Sequence, residues 1–382
     1  METFRTSELK KLNRNIIYRY MIRNRNKVLS KQDIAADLHL SIPTVTSNLN
    51  ELMDRKLILE AGLLDSFGGR KAKSYTLNEQ CKYAVGMYTT PYSVEGVVTD
   101  LLGNIVEKYK GELLWENTED YYSQIRKIVT DMVHSANIDD SDVLGAGFAL
   151  PATVKTSQKE IYQAPVFDNV TDIHTHFANK LPYPYILINE ANAGCLAELW
   201  FCNMLQEAKE PVNMAYLSIN NFVGGAIVIQ NKLYGGTKNT AGEFGHMTLV
   251  PGGKRCYCGR QGCPDPYIAA HCLSELTNGS LPEFFKKLEE GDKKIVAHWD
   301  EYLNYLTLTI QSINITLDAD VVIGGYLGNY IEPYLPQLHA KLRAQYPFDL
   351  ELPYIVRANH YQEDPTSLGA ALYFVNEFVN AV

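Results

Sequence analysis

Three of the chain's seven cysteines, Cys256, Cys258 and Cys263, fall within eight residues, and His246 lies ten positions upstream of the first. Three soft thiolates and one imidazole make a tetrahedral zinc donor set. Gly259 and Gly262 stand between the second and third cysteines, where a loop folding back on a metal needs residues that tolerate positive φ. The competing reading is a disulfide with spare thiols. It is disfavoured because cysteines one residue apart bridge poorly and no secretion signal places the chain in an oxidising compartment. Cys81, Cys195, Cys202 and Cys272 lack partner spacing and read as buried apolar residues. A structural Zn2+ held by His246, Cys256, Cys258 and Cys263 is therefore expected.

The elements that must position this run alternate in type. Val85–Tyr88, Val94–Thr99 and Gly103–Val106 read as a meander, with Leu101–Asn104 as its tight turn. A helix follows over Tyr121–His134, then strands Val143–Leu150 and Tyr185–Ile188, the second running into Asn189-Glu190 and a helix over Ala191–Trp200. Met214–Ser218 and Ala226–Gln230 form a hairpin that leads to the cysteine run. Beyond it the spacing predicts helices over Pro266–Leu276, Pro282–Glu290 and Lys293–Leu317, a strand at Val321–Ile323 and a last helix over Ser367–Val379. Strands alternating with helices imply an α/β body, and no internal repeat stands out in the sequence.

Residues 1–80 differ from the rest in charge. They carry fourteen Lys and Arg against nine Asp and Glu, leaving 21 against 35 in residues 81–382 of a chain whose net charge is −9. A basic head on an acidic body suits a small nucleic-acid module joined to something with another partner. In the head, Leu9, Leu12, Ile16, Ile17, Tyr20 and Met21 form one helical stripe over residues 6–24. Ser30 caps a second helix over Lys31–Leu38, and Ser41 a third to about Lys56. Val45, Leu49 and Leu52 would pack inward, leaving Pro43, Thr44, Ser47 and Asn50 outside and Thr46 at the border. Helix, short turn and helix with a small polar outer face is the helix-turn-helix pattern. Leu57–Glu60 and Tyr75–Leu77 then flank a glycine turn in which Arg70 and Lys71 can enter a minor groove or clamp phosphate, as a wing does. A three-helix core without a DNA role is the plainer alternative.

Composition excludes other classes. The first residues lack the apolar core of a secretory signal, and the longest uncharged run, Pro211–Asn231, contains Asn213, Ser218, Asn220, Asn221 and Gln230, too polar for a membrane span. A cytoplasmic protein without a membrane partner is expected.

Gly242-Glu243-Phe244-Gly245-His246 followed by Cys256-x-Cys258-Gly259-x-x-Gly262-Cys263 resembles the signature of the ROK family (repressors, open reading frames, kinases). Gly68-Gly69-Arg70 also resembles the wing of the family's repressors, which its kinases lack. The resemblance implies an N-terminal winged helix-turn-helix (1–80) on a two-lobed, actin-like (ribonuclease H-like) α/β body (81–382), with a zinc-binding loop that shapes a sugar pocket. Lobe one would span about 81–200 plus the C-terminal helix, and lobe two about 200–365. Members are sugar kinases or sugar-responsive repressors.

The resemblance also supplies a test for a kinase. Family kinases carry Asp-x-Gly-Gly-Thr after the first strand, where this chain has Tyr88 and Thr90-Pro91-Tyr92. The second phosphate loop, normally Gly-Thr-Gly-Ile-Gly, reads Asn220-Asn221-Phe222-Val223-Gly224, and the third reads Gly324-Gly325-Tyr326 instead of Gly-Gly-Gly. Backbone N–H groups must approach ATP phosphates closely, so these departures predict no ATP binding and no catalytic residue. The family's sugar contacts survive better, as Asn189, Glu190, Glu243, His246 and Asp265. Glu190 stands at the catalytic-base position and Asp265 after Pro264, with Asp and Glu exchanged at both relative to the kinases. A longer carboxylate still bonds a hydroxyl while being misplaced for proton abstraction. As zinc ligand, His246 could turn its other nitrogen to a sugar hydroxyl. The plainer reading makes these carboxylates surface or capping groups, with Glu190 at a helix N-terminus.

The expected function is a sugar-responsive transcriptional repressor, a homo-oligomer (dimer or tetramer) that binds an inverted-repeat operator and senses a monosaccharide or derivative. The absence of an added Arg or Lys near the pocket residues leans toward an unphosphorylated ligand. Two alternatives stand beside it: an active sugar kinase with a DNA-binding head, and a repressor controlled by a partner protein.

Overall fold

The computed structural model describes residues 6–64, 72–155, 159–168, 170, 173–206, 210–345, 355–363 and 365–382. Two five-stranded sheets form the body, and they share one topology. In the first, Tyr83–Thr89, Ser93–Thr99 and Ile105–Glu112 form an antiparallel meander; Val143–Leu150 lies parallel beside the first strand and Tyr185–Asn189 parallel beyond it. In the second, Met214–Ile219, Val223–Ile229 and Lys232–Leu233 form the meander, followed by Asp320–Gly324 and Val356–Ala358 in the same places. The cysteine run and the helices after it fill the connection that in the first sheet holds only the helix Glu119–Ser135 and a 3-10 turn.

Two helices, Glu190–Trp200 and Pro365–Ala381, pack on one another between the sheets. The second lies directly on the first sheet because Gly86 has no side chain: a methyl there would sit 1.8 Å from the carbonyl oxygen of Ser367. Tyr216, Val322, Ala149 and Ala193 belong to the cluster that joins the sheets through these helices.

The head consists of helices Thr6–Arg23, Lys31–Asp37 and Ile42–Asp54 beside a three-stranded sheet of Leu29–Ser30, Ala72–Leu77 and Ile58–Leu64. Both expected caps form. Ser30 Oγ accepts from Asp33 N while Asp33 returns a bond to Ser30 N at 2.9 Å, and Ser41 Oγ accepts from Thr44 N. Val45, Leu49 and Leu52 are buried as expected. The stripe on the first helix is corrected: Ile17, Tyr18, Met21 and Ile22 are buried, whereas Leu9, Leu12 and Ile16 are 49, 48 and 38% exposed. Only the last turns of this helix reach the core, which continues into the body through Leu372, Val375, Val379 and Val382.

The expected helix over Pro266–Leu276 is also corrected. It breaks between Ile268 and His271, where Ala269 is extended (φ −62°, ψ 151°) and Ala270 N donates to Asn220 O at 2.8 Å instead of continuing the helical ladder. Other elements without a sequence expectation are the hairpin Thr153–Lys155 and Glu160–Gln163, and the helix Leu335–Gln345. Among the described residues, no helix is long and apolar enough to cross a membrane.

Candidate functional site

His246, Cys256, Cys258 and Cys263 converge, their donor atoms all within 4.8 Å of one another. Cys258 Sγ is 3.8 Å from Cys263 Sγ, and Cys256 Sγ is 3.6 Å from His246 Nδ1. The edges of a tetrahedron with zinc–sulfur bonds of about 2.3 Å and zinc–nitrogen bonds of about 2.05 Å are roughly 3.8 and 3.5 Å, so the donor set fits. A disulfide, needing sulfurs about 2.05 Å apart, does not. The loop closes through Cys256 N donating to Arg260 O and Gly262 N to Lys254 O, both 2.9 Å. Gly262 at φ +79° is required, since a methyl there would meet Val250 O at 1.8 Å. Arg260 pins the segment after the Phe244–His246 turn by donating to His246 O and Thr248 Oγ1.

The five sugar-contact candidates fall into two groups. In the first, Glu243 is exposed on the turn that carries His246 and meets the Thr153 hydroxyl of the opposite lobe. Asp265 is buried, and its Oδ1 accepts from Val223 N at 2.7 Å. Desolvation raises the pKa of both carboxyls, against the opposing bonds from the Thr153 hydroxyl to Glu243 and from Val223 N–H to Asp265. Between them stands Tyr257, which the sequence offers only as a spacer between cysteines. The residue is 47% exposed, but its hydroxyl lies 3.0 Å from His246 Nε2 and its ring is edge-on to Phe222, and partial desolvation followed by Asp265 holds its pKa up. The second imidazole nitrogen thus already faces a hydroxyl, as it would face a ligand's. An aromatic residue inside a metal loop was the available signal.

In the second group, Asn189 is the helix cap: its Oδ1 accepts from Ala191 N and Asn192 N, and its amide donates to Ala152 O. Glu190 follows it into the interior, 8% exposed, where Tyr88 Oη donates to it at 2.5 Å. Burial raises its carboxyl pKa, while bonds from Tyr88 and Asn220 act against the rise. Asn220 also accepts from Tyr326 N at 2.8 Å. The loop Asn220–Val223 therefore joins the groups, touching Glu190 at one end and Asp265 at the other.

The turn between the first two strands of the body is closed on itself. Thr90 N donates to Ser93 O, Thr90 Oγ1 accepts from Tyr92 N and Ser93 N, and Pro91 has no N–H to offer. Beside it lies an inter-lobe cavity of about 390 Å³, walled by Tyr88, Asn220 and Tyr326 and by Glu95, Lys110 and Glu363. Lys110 is paired with Glu95 at 2.6 Å and Glu363 with Lys108, so the wall offers no free cation among these residues.

In the head, Pro43, Ser47 and Asn50 are exposed and Thr44 and Thr46 half-buried on one side of Ile42–Asp54. Asn48, on the inner side, is 1% exposed and donates to Thr44 O. Arg70 and Lys71 lie outside the described residues.

The chain is similar to known proteins along nearly its whole length. The xylose repressor of Bacillus subtilis (strain 168) is 29% identical over 376 residues, spanning 94% of this chain and 92% of its own. A crystallised ROK family transcriptional regulator, a homologue of the E. coli MLC protein, superposes with a TM-score of 0.76 at 20% identity, covering 98% of this chain and 97% of its own. The ROK hexokinase of Thermus thermophilus superposes with a TM-score of 0.64 at 24% identity over 78% of this chain and 99% of its own. The profile described as ROK family matches residues 92–377, so the chain belongs to the ROK family.

Proposed function

We propose that the protein is a sugar-responsive transcriptional repressor that binds its sugar without phosphorylating it. The observation that carries this reading is the first turn of the body. Its N–H groups at Thr90, Tyr92 and Ser93 are spent internally, and Tyr88, which the resemblance sets where the family's kinases carry an aspartate, bonds Glu190. A triphosphate there would find acidic and already paired groups. Glu190 held by a phenol hydroxyl is placed to read a hydroxyl group and has no phosphoryl donor to serve.

In this reading Asn189, Glu190, Glu243, His246 and Asp265, with Tyr257, line the monosaccharide site. Carboxylates and an amide bond paired hydroxyls well. The similarity to xylose repressors makes D-xylose the first ligand to try. Zn2+, held by His246, Cys256, Cys258 and Cys263, would cross-link the loop that carries Tyr257 and fix the imidazole beside Glu243; its role is structural. The head acts as a winged helix: Pro43, Thr44, Thr46, Ser47 and Asn50 face the major groove, and Arg70 and Lys71 the phosphates or minor groove. Two heads of a homo-oligomer would read an inverted repeat with half-sites about one or two helical turns apart. Sugar changes operator affinity by binding one lobe arrangement better than the other.

Selection from a random duplex pool tests the DNA reading. Enrichment of an inverted repeat, with binding that falls steeply as salt rises, is the expected result. A pool that stays random would remove the operator from the account.

A further inference from the structure

The head does not hang on a linker: its first helix packs against residues Phe201–Leu205 and the last turns of Pro365–Ala381. A cavity of about 540 Å³ opens along this seam. Arg19 and Arg23 enter it from the head, one turn apart. Asn203, Asn376 and Glu377 enter from the first lobe's helices, and Lys232 from the tip of the second lobe's hairpin.

The cations here have only neutral partners. Arg19 donates to Asn15 Oδ1 at 2.8 Å, to Asn380 Oδ1 and to Met204 Sδ, and Arg23 uses Nε alone, on Asn203 O. Among the described residues, Arg19, Arg23, Lys232 and Glu377 form no ion pair. Burial and then the neighbouring charge of Arg23 lower the pKa of Arg19, so two like charges share one partly desolvated space. Guanidinium forks whose donors meet neutral oxygens, a thioether sulfur or nothing, with an ammonium across a gap of this size, match a phosphoryl dianion.

We propose that this seam is a second ligand site, separate from the sugar pocket, that takes a small phosphate-bearing molecule. The dianion lies between Arg19, Arg23 and Lys232, and the amides of Asn203 and Asn376 serve whatever the phosphate carries. Such a ligand ties the head to both lobes at once. Where the head binds operator, it would bias the head's orientation and so operator affinity, without touching Glu243 or Asp265.

Calorimetric titration of the full chain at fixed ionic strength tests the site, with inorganic phosphate in one arm and glycerol 3-phosphate in the other. Saturable binding is expected, weakened about tenfold or more by Lys232→Gln and lost in Arg19→Gln/Arg23→Gln. Equal affinity in both arms assigns the site to the phosphoryl group alone, and tighter binding of the ester to a phosphate monoester. Lys232 is exposed, so its variant folds and keeps the test independent of the head. Absence of saturable binding in both arms, or binding that Lys232→Gln leaves unchanged, would overturn the proposal. The titration does not depend on the operator reading, so the two fail separately.

Discussion

The two lobes have the same strand order, yet their first turns have opposite fates. In the first lobe, the turn after Thr89 spends its N–H groups on Thr90 and Ser93, within itself. In the second, the turn after Ile219 keeps one bond within itself, Asn220 N to Phe222 O, and spends its other groups on the rest of the molecule. Asn220 serves Glu190 and Tyr326 N, Asn220 O accepts from Ala270 N, and Val223 N reaches Asp265. One turn has become inert and the other a junction between the cleft and the cysteine loop. The same topology thus holds a turn whose N–H groups are spent internally in one half and a turn bonded to both cleft carboxylates in the other.

Breaking the junction from its far side has the largest expected effect. Cys263→Ser removes a donor from the metal set that holds the loop before Asp265, and is expected to cost about 4 kcal/mol or more. Thermal unfolding with metal analysis checks it. Wild-type protein without zinc, or a variant that melts as the wild type does, would contradict the assignment.

Asp265→Ala comes next. It leaves the buried Val223 N–H without an acceptor, which costs about 1–3 kcal/mol, whereas Asp265→Asn keeps an acceptor and should cost less. Denaturant titration of the pair reads the difference, and equal losses would mean the bond to Val223 is unimportant.

The smallest effect belongs to Tyr88→Phe, about 1 kcal/mol near neutral pH. Its sign with pH is the sharper test. Burial raises the Glu190 carboxyl above its ordinary 4.5, so the folded state holds that proton more tightly than the unfolded state does. Stability from this group is full below 4.5 and declines as pH rises through the folded value. Removing the Tyr88 hydroxyl raises that value further and extends the decline. The gap between wild type and Tyr88→Phe should therefore widen as pH rises through the wild-type folded value, above 4.5; a constant gap would mean that the hydroxyl does not act through the carboxylate.

The metal set was legible in the sequence because its donors lie within 18 residues, where spacing alone constrains geometry. The helix starts at Ser30 and Ser41 were legible for the same local reason. The repeated topology was not, because parallel pairings such as Tyr83–Thr89 with Val143–Leu150 join distant segments and the two halves show no repeat in sequence. Burial on the first helix was misread because periodicity reports a stripe without saying what covers it: Leu9 and Leu12 extend past the core that Ile17 and Met21 enter. Resemblance supplied the sugar-contact candidates but neither Asn189's capping role nor Tyr257, whose place beside His246 depends on how the loop folds back.

We propose that this cleft binds a sugar and has lost its nucleotide. Calorimetric titration of purified protein with D-xylose and a monosaccharide panel, followed by ATP·Mg, tests it most directly, with Glu243→Ala as control. The account predicts saturable heat with one sugar, its loss in Glu243→Ala, and none with ATP·Mg. Saturable ATP·Mg binding accompanied by sugar phosphate in the cell would contradict it, and a panel silent for every sugar would point instead to control by a partner protein.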